Sequence, residues 1–160
     1  MMQPIDLHKE NQGAIGFPSR RAAGLPHMPK FLGRKVRWLP AGFTGDATAI
    51  AGWGRKSKAQ AAQRLAARKG LSFLTIEDGF LRSVEREDPP LSLVVDDLGI
   101  YCDAGAPSRL EELIPEPLGN TETARARALM AAWCAGRVSK YNGAREHAGD
   151  LPERFVLVCD

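Results

Sequence analysis

Short apolar runs separated by polar turns recur along this chain, and their spacing predicts alternating strands and helices. Residues 35–39 (KVRWL) and 47–53 (ATAIAGW) are apolar enough and short enough to be strands, and 71–77 is predicted as the next strand. A strand–helix–strand unit with short connections is right-handed and parallel in nearly all proteins. The pattern over 47–77 therefore predicts a parallel α/β unit.

The helix of this unit is predicted over residues 57–69. Ser57 is the expected N-cap, since its hydroxyl can accept a free backbone N–H of the first turn, and Gly70 is the expected C′ residue. The apolar residues repeat at helical spacing: Ala59, Ala62, Leu65 and Ala66.

Two further strands are predicted at 91–97 (LSLVVDD) and 99–104 (GIYCDA), joined by the tight connection Asp97-Leu98-Gly99. Ser108 and Glu111 form a capping box that opens a short helix.

A longer helix, capped by Asn120 or Thr121, is predicted over about 121–137. Its expected inner face consists of Ala126, Leu129, Met130 and Trp133. Residues 155–160 (FVLVCD) form the last predicted strand.

The sequence predicts an α/β fold, with a weakly ordered basic N-terminal arm over residues 1–30 and a Rossmann-like parallel-sheet lobe over 31–160. Ligands of open α/β sheets bind beyond the carboxyl ends of the strands. This sequence ends on Asp160, at such a strand end. We therefore expect the lobe to be incomplete at its C-terminus and the protein to be truncated.

Charge is spread unevenly over the 160 residues, whose net charge is +3. Residues 1–60 hold ten Lys/Arg against three Asp/Glu, and residues 19–38 are especially basic. Such an asymmetry favours anionic lipid, nucleotide or nucleic acid, or is merely a solvated arm. No aromatic-interleaved motif supports nucleic-acid binding.

The remaining composition is that of an ordinary soluble globular chain, and we expect the chain to stay in the cytoplasm. Hydrophobic residues make up 44% and charged residues 26%, and neither a membrane-span pattern nor a signal-peptide pattern is visible. The three cysteines, Cys102, Cys134 and Cys159, are far apart and are expected to be reduced structural thiols rather than metal ligands or a disulfide. The three histidines show no metal-ligand spacing, so we expect no metal site.

The segment GWGRKS (52–57) lies between a predicted strand and a helix N-terminus. Its glycines allow close backbone approach, and Arg55 and Lys56 add positive charge at the positive end of the helix dipole. It is a candidate seat for a phosphate or carboxylate, or else a glycine turn with solvated basic residues.

The segment IEDGFLRS (76–83) begins at the carboxyl end of the next predicted strand. Glu77, Asp78 and Arg82 are therefore expected to face the same crevice as GWGRKS. Carboxylates can orient sugar hydroxyls or act as acid or base, and Arg82 can bind an anion in a fork geometry. The alternative is an ion pair between Arg82 and Asp78 or Glu77 that only shapes the turn.

Two other segments carry candidate polar groups. Asp96, Asp97 and Asp103 could bind a metal or a ribose, although a hairpin turn also prefers Asp and Gly. The segment SKYN (139–142) follows a helix and either contacts a ligand or simply ends that helix.

Taken together, these segments resemble the capsule polysaccharide biosynthesis and export family, the retaining β-Kdo transferases of Gram-negative capsule assembly. The resemblance covers about residues 31–160, and EDGFLRS with PLSLVVDD is its most specific part. The other matching segments are GWGRKS, PSRLEEL, SKYN and FVLVCD. SVERED (83–88) departs from the glycine-containing stretch usual in the family, and Cys102 replaces a tyrosine.

The resemblance implies one lobe of a two-lobe, GT-B-like glycosyltransferase that moves Kdo from CMP-β-Kdo to a lipid-linked acceptor with retention. It implies no cofactor, partners among the capsule assembly and export proteins, and a cytoplasmic location, peripheral on the inner membrane face. The nucleophile is expected beyond Asp160, and a fragment without it should be inactive. Glu77 and Asp78 are the cleft candidates. The candidate substrate-binding residues are Gly52, Trp53, Gly54, Arg55, Lys56, Ser57, Arg82, Ser83, Lys140, Tyr141 and Asn142.

A different class of function stays open on the same residues. A truncated or accessory lobe could bind a nucleotide or an anionic glycan without performing chemistry.

Overall fold

The computed structural model describes residues 13–40, 43–143, 149–150 and 152–156. Within them the chain forms five strands and five helices. The strands are β1 (Ala14–Phe17), β2 (Val36–Trp38), β3 (Ala47–Trp53), β4 (Ser72–Asp78) and β5 (Leu93–Asp96). The helices are α1 (Arg20–Ala23), α2 (Met28–Leu32), α3 (Ser57–Lys69), α4 (Arg109–Leu113) and α5 (Asn120–Gly136).

The strands form one sheet in the order β2-β1-β3-β4-β5. The first four strands in this order are parallel, and β5 pairs antiparallel with β4. The predicted α/β class with a parallel sheet is confirmed. Trp53 pairs with Ile76 across β3 and β4, so the predicted adjacency of the loops after Trp53 and Glu77 is also confirmed.

Helices cover both faces of the sheet because side chains of each strand alternate between the two faces. On one face, α1 and α2 pack on a buried cluster that includes Ile15, Phe17 and Leu74. On the other face, Ala62, Leu65 and Ala66 of α3 pack around Ile50, while the next residue of β3, Ala51, belongs to the first face.

The connections after β1 and β3 leave the sheet in opposite directions. From β1 the chain passes through α1 and α2 to β2 on one side, and from β3 it passes through α3 to β4 on the other side. A crevice opens where two such connections diverge, beyond the carboxyl ends of the strands. The site described below lies at this switch point.

The expectation of a weakly ordered arm over residues 1–30 is wrong for the described residues 13–30. They carry β1, α1 and the start of α2, and β1 lies between β2 and β3. Its side chains are fully buried, and such a short strand is stabilised by this burial from both faces rather than by a long apolar pattern. Residues 1–12 lie outside the described residues.

The expected strand at 99–104 is wrong, and so is the expected hairpin at Asp97-Leu98-Gly99. Residues 99–104 form turns, and β5 pairs with β4 instead. The Asp96 carboxylate accepts the backbone N–H groups of Leu98 and Gly99, which closes the chain into a turn and removes those donors from any strand ladder.

Helix boundaries are largely as predicted, but two caps are not. Lys56 rather than Ser57 is the N-cap of α3, without a side-chain cap bond, and Gly119 precedes α5 instead of Asn120 or Thr121. Gly70 ends α3 in the left-handed conformation, as predicted. The Ser108–Glu111 capping box of α4 is also confirmed.

The expected buried face of α5 is wrong within the described residues. No residue of α5 is buried, and Leu129 and Met130 are 52% and 64% exposed. Its apolar periodicity is not matched by an apolar partner in the described part of the chain.

The predicted strand at 155–160 lies mostly outside the described residues. Phe155 and Val156 are exposed and belong to no strand. Cys102 and Cys134 are free thiols, as expected, and both are exposed. None of the helices that the structure describes is long and apolar enough to cross a membrane.

Candidate functional site

A cavity of about 280 Å³ opens beyond the carboxyl ends of β1, β3 and β4, on the face covered by α1. It is close to the lower end of the range of roughly 300–1,000 Å³ that is usual for small-molecule sites. Its lining residues come from α1 and the residues that flank it, from the ends of β3 and β4, and from the segment after β4: Ser19, Arg21, Ala22, Leu25, Trp53, Asp78, Arg82 and Pro90.

Asp78 is the acidic group in this cavity. Its Oδ1 atom is buried and accepts no hydrogen bond from any described residue. Nε of Arg82 lies 3.2 Å from Oδ1, which makes the two side chains an ion pair without hydrogen-bond geometry. A buried carboxylate oxygen in this position can still accept a hydrogen bond from a hydroxyl group of a ligand.

Arg82 is held from several sides. Its Nη1 atom donates to Ser83 Oγ at 2.7 Å and to the carbonyl of Asp88 at 2.6 Å. The guanidinium carbon lies 5.7 Å from the ring centroid of Tyr141, within cation–π range. The side chain is 15% exposed. A cation held in this way is pre-oriented at the edge of the cavity.

The SKYN segment contacts the protein's own backbone beside the cavity. The amides of Arg82 and Ser83 donate to the carbonyl of Lys140 at 3.0 and 3.3 Å. Asn142 donates to Val84 O through its backbone N–H and to Ser83 O through the side-chain atom Nδ2. The segment therefore does more than end α5, because it braces the loop that carries Arg82.

Arg55 lies in a different cavity. This second cavity, of about 210 Å³, is on the α3 face, and Gly54, Gln60 and Thr75 also line it. Arg55 Nη2 pairs with Asp103 Oδ2 at 2.9 Å. The expectation that Arg55 and Arg82 face one crevice is wrong, although their loops are neighbours.

The two carboxylates of IEDGFLRS are separated in the same way. Consecutive strand residues point to opposite faces, so Asp78 lines the first cavity while Glu77 lies beside Gly54, whose added Cβ would stand 3.1 Å from Glu77 Oε2. Glu77 Oε1 accepts the amide of Asp78 at 3.0 Å. The expectation that both face the same crevice is therefore wrong.

Asp96 and Asp97 bind protein groups. Asp96 accepts the amides of Leu98, Gly99 and Arg109, each at 2.9 Å, and is 1% exposed. Asp97 holds the Arg109 guanidinium through two hydrogen bonds, which raise the pKa of Arg109. Within the part of the chain that the structure describes, no group of three or more His, Cys, Asp or Glu side chains could hold a metal ion.

Ser19 and Arg21 were missed by sequence reasoning. They belong to the loop and helix after β1 and line the first cavity together with Arg82. The available signal was the apolar run AIGF followed by a serine that caps α1 through its hydroxyl. Four apolar residues are too short a run to be distinguished from a loop by periodicity alone.

Comparison with known proteins connects this fold with capsule assembly. A family model described as "Capsule polysaccharide biosynthesis protein" matches residues 48–151. The chain is 37% identical over 155 residues to the capsule polysaccharide modification protein LipA of Neisseria meningitidis serogroup B, covering 90% of this chain and 22% of LipA. It is 44% identical over 97 residues to the lipopolysaccharide-processing protein LpsZ of Rhizobium meliloti, covering 56% of this chain and 22% of LpsZ.

Two solved structures share the fold, both KpsC proteins of Thermosulfurimonas dismutans. The β-Kdo 2,4 transferase matches with a TM-score of 0.77 and 37% identity, over 89% of this chain and 46% of that one. The β-Kdo 2,7 transferase matches with a TM-score of 0.56 and 25% identity, over 76% of this chain and 42% of that one. The chain thus spans about a fifth of the length of its curated relatives and under half of each solved structure.

Proposed function

Because the chain belongs to the capsule polysaccharide biosynthesis family, we propose that it forms one lobe of a glycosyltransferase that moves Kdo from CMP-β-Kdo to a lipid-linked acceptor with retention. The likeness to two proteins named as Kdo transferases supports this reaction class. The proposed partners are the donor, the acceptor and the capsule assembly and export proteins. The proposed location is the cytoplasmic face of the inner membrane, where a basic segment would be attracted to anionic lipids.

The observation that carries the proposal is the chemistry of the cavity at the switch point. Arg21 and Arg82 supply positive charge, Asp78 supplies a carboxylate oxygen with free acceptor capacity, and Trp53 supplies an aromatic wall. Kdo is a sugar that carries both a carboxylate and hydroxyl groups. Guanidinium groups bind carboxylates or phosphates through two parallel hydrogen bonds, and a carboxylate accepts hydrogen bonds from hydroxyl groups.

In this proposal the residues of the cavity bind and orient the substrate. Arg82 holds a Kdo carboxylate or the CMP phosphate, Asp78 fixes a sugar hydroxyl, and Trp53 excludes water from one side. Retention through double displacement also needs a carboxylate nucleophile that forms a covalent sugar intermediate. We assign that nucleophile to none of the described residues.

A ligand titration tests the proposed site. The purified 160-residue chain is titrated with Kdo and with CMP by calorimetry, alongside the variants Arg82→Ala, Asp78→Ala and Arg55→Ala. Losing a hydrogen bond to a charged group costs about 1.5–3 kcal/mol, so Arg82→Ala should weaken binding of one ligand by about ten- to 150-fold. Arg55→Ala is the matched control, since it removes a cation from the neighbouring loop and the other cavity.

The competing interpretation makes Arg82 only a structural partner of Asp78. It requires Arg82→Ala and Asp78→Ala to lower the melting temperature equally and to leave ligand affinity unchanged, and that result would refute the proposed site. A larger effect of Arg55→Ala would move the site to the second cavity.

A non-catalytic binding lobe is the second candidate, because the first cavity offers groups that could bind an anion while we assign the nucleophile to none of the described residues. On this view the chain binds a nucleotide or an anionic glycan but transfers no sugar. We expect no product when the purified chain is incubated with CMP-Kdo and a lipid-linked acceptor. Product formation would establish the chain alone as the transferase.

A further inference from the structure

The loop that carries Arg82 is tied to a segment almost sixty residues later in the chain. Arg82 and Ser83 donate their amides to Lys140 O, and Ser83 forms a parallel bridge with Tyr141. Asn142 adds two hydrogen bonds to this connection. Its backbone N–H donates to Val84 O at 2.9 Å, and its side-chain Nδ2 donates to Ser83 O at 3.2 Å.

The same Asn142 side chain also shapes the segment 139–142 itself. Its Oδ1 atom accepts the amide of Ser139 at 2.7 Å, and Nδ2 donates to Ser139 O at 2.9 Å. One side chain therefore both closes the turn and connects it to the Arg82 loop. The turn presents the Tyr141 ring 5.7 Å from the Arg82 guanidinium.

From these contacts we propose that Asn142 is a positioning residue that fixes Arg82 at the rim of the cavity. Asn142 does not line that cavity, and it acts through the backbone of Ser83 and the ring of Tyr141. The inference rests on the proposed function, because it assigns the purpose of the tie to anion binding by Arg82. On this proposal the SKYN segment holds Arg82 in place and does not itself contact the ligand in this cavity.

The pre-orientation of Arg82 explains why such a tie matters for binding. A free arginine side chain loses rotamer entropy when it is fixed, which costs up to about 2 kcal/mol. Contacts that fix the side chain before the ligand arrives move this cost from the binding step to the folding step. The loss of the tie should therefore weaken binding even when the fold persists.

The test combines hydrogen exchange with titration of the 160-residue chain by Kdo and by CMP. In Asn142→Ala the backbone amides of Arg82 and Ser83, which donate to Lys140 O, should exchange faster. Affinity should fall by about two- to twelvefold, which corresponds to one neutral hydrogen bond. The salt dependence of binding should also become weaker, because Arg82 contributes less charge to the contact. Asn120→Ala, at the exposed start of α5, is the matched control and should change neither quantity.

Each outcome decides between the two proposals. Unchanged exchange at the amides of Arg82 and Ser83, or faster exchange with unchanged affinity and salt dependence, would overturn the role of Asn142 alone. Failure of the unmodified chain to bind either ligand would overturn the proposed function and the inference with it. Should Asn142→Ala fail to fold, Asn142→Asp takes its place, because aspartate keeps the acceptor for Ser139 and removes the Nδ2 donor to Ser83 O and Ser139 O. Hydrogen exchange at Arg82 and Ser83 is then the deciding measurement, since the added negative charge would itself weaken anion binding.

Discussion

Replacing Asp96 tests whether a buried carboxylate stabilises the fold by accepting backbone hydrogen bonds. The side chain is 1% exposed, with Oδ1 accepting the amides of Leu98 and Gly99 and Oδ2 accepting that of Arg109, each at 2.9 Å. The carboxylate thus joins the end of β5, the following turn and the first residue of α4. Asp96→Ala removes all three acceptors at once.

The magnitude follows from the number and type of these bonds. A hydrogen bond to a charged group contributes about 1.5–3 kcal/mol, and a simple sum for three would be roughly 4.5–9 kcal/mol. The three are not independent, because the turn can open and expose its amides to water once the carboxylate is lost. We therefore expect the free energy of unfolding to fall by about 3–5 kcal/mol, a large part of the roughly 5–15 kcal/mol that is usual for a folded domain.

Urea denaturation followed by circular dichroism measures this loss. Asp46→Ala is the matched control, since Asp46 forms an ion pair with Arg37 at 2.7 Å in which both side chains are 56% exposed. Exposed ion pairs contribute at most about 1 kcal/mol. If Asp96→Ala and Asp46→Ala cost the same free energy within error, then the three hydrogen bonds do not hold this region together and the reasoning is refuted.

The same experiment separates a structural from a metal-binding carboxylate. Were Asp96 a metal ligand, Mg²⁺ or Ca²⁺ would stabilise the unmodified chain by mass action and would leave Asp96→Ala unaffected. We expect neither cation to change the urea midpoint of the unmodified chain.

Three further changes test other parts of the structure. Gly52→Ala places a Cβ 3.0 Å from Cα of Ala59 in α3; we expect a loss of about 1–3 kcal/mol from overpacking, and an unchanged melting temperature would contradict this contact. Leu129→Lys on exposed α5 should change stability by less than about 0.5 kcal/mol, whereas a larger loss in chemical denaturation would mean that α5 is covered in this chain. Tyr141→Phe should leave the affinity for Kdo or CMP unchanged, whereas Tyr141→Leu should weaken it by about two- to fivefold, because only leucine removes the cation–π contact with Arg82. Equal affinities of the two variants in a titration would mean that the Tyr141 ring does not contribute to binding.

The elements that sequence reasoning predicted well are those whose stabilising interactions are local. Helix α3 has its apolar residues at helical spacing and ends at a left-handed glycine, and both signals lie within the segment itself. The capping box of α4 joins Ser108 and Glu111, three residues apart. Strands β3 (ATAIAGW) and β4 (SFLTIED) are seven residues long, and each contains enough apolar residues for detection by pattern.

The errors concern elements whose stabilising partners lie far away in sequence. β1 has only four residues and is stabilised by strands on both sides, whose order cannot be read from one segment. The turn after β5 is determined by one buried carboxylate that also binds Arg109, thirteen residues later. The apolar stripe of α5 indicates a buried face, yet periodicity alone cannot specify which surface would cover it.

The candidate site depended on the same distinction between local and distant information. Parallel pairing of β3 and β4 was predictable, and from it the adjacency of their loops, but adjacency does not fix the direction in which each side chain leaves. Arg55 begins the connection to α3 and lies on the α3 face, whereas Arg82 lies on the α1 face beside the end of β1. The connection from β1 to α1 and the connection from β3 to α3 run to opposite faces of the sheet, and only the strand order reveals this. The divergence that opens the cavity therefore also separates Arg55 from Arg82. The second cation beside Arg82 is Arg21, which lies in helix α1 directly after the strand that the pattern missed.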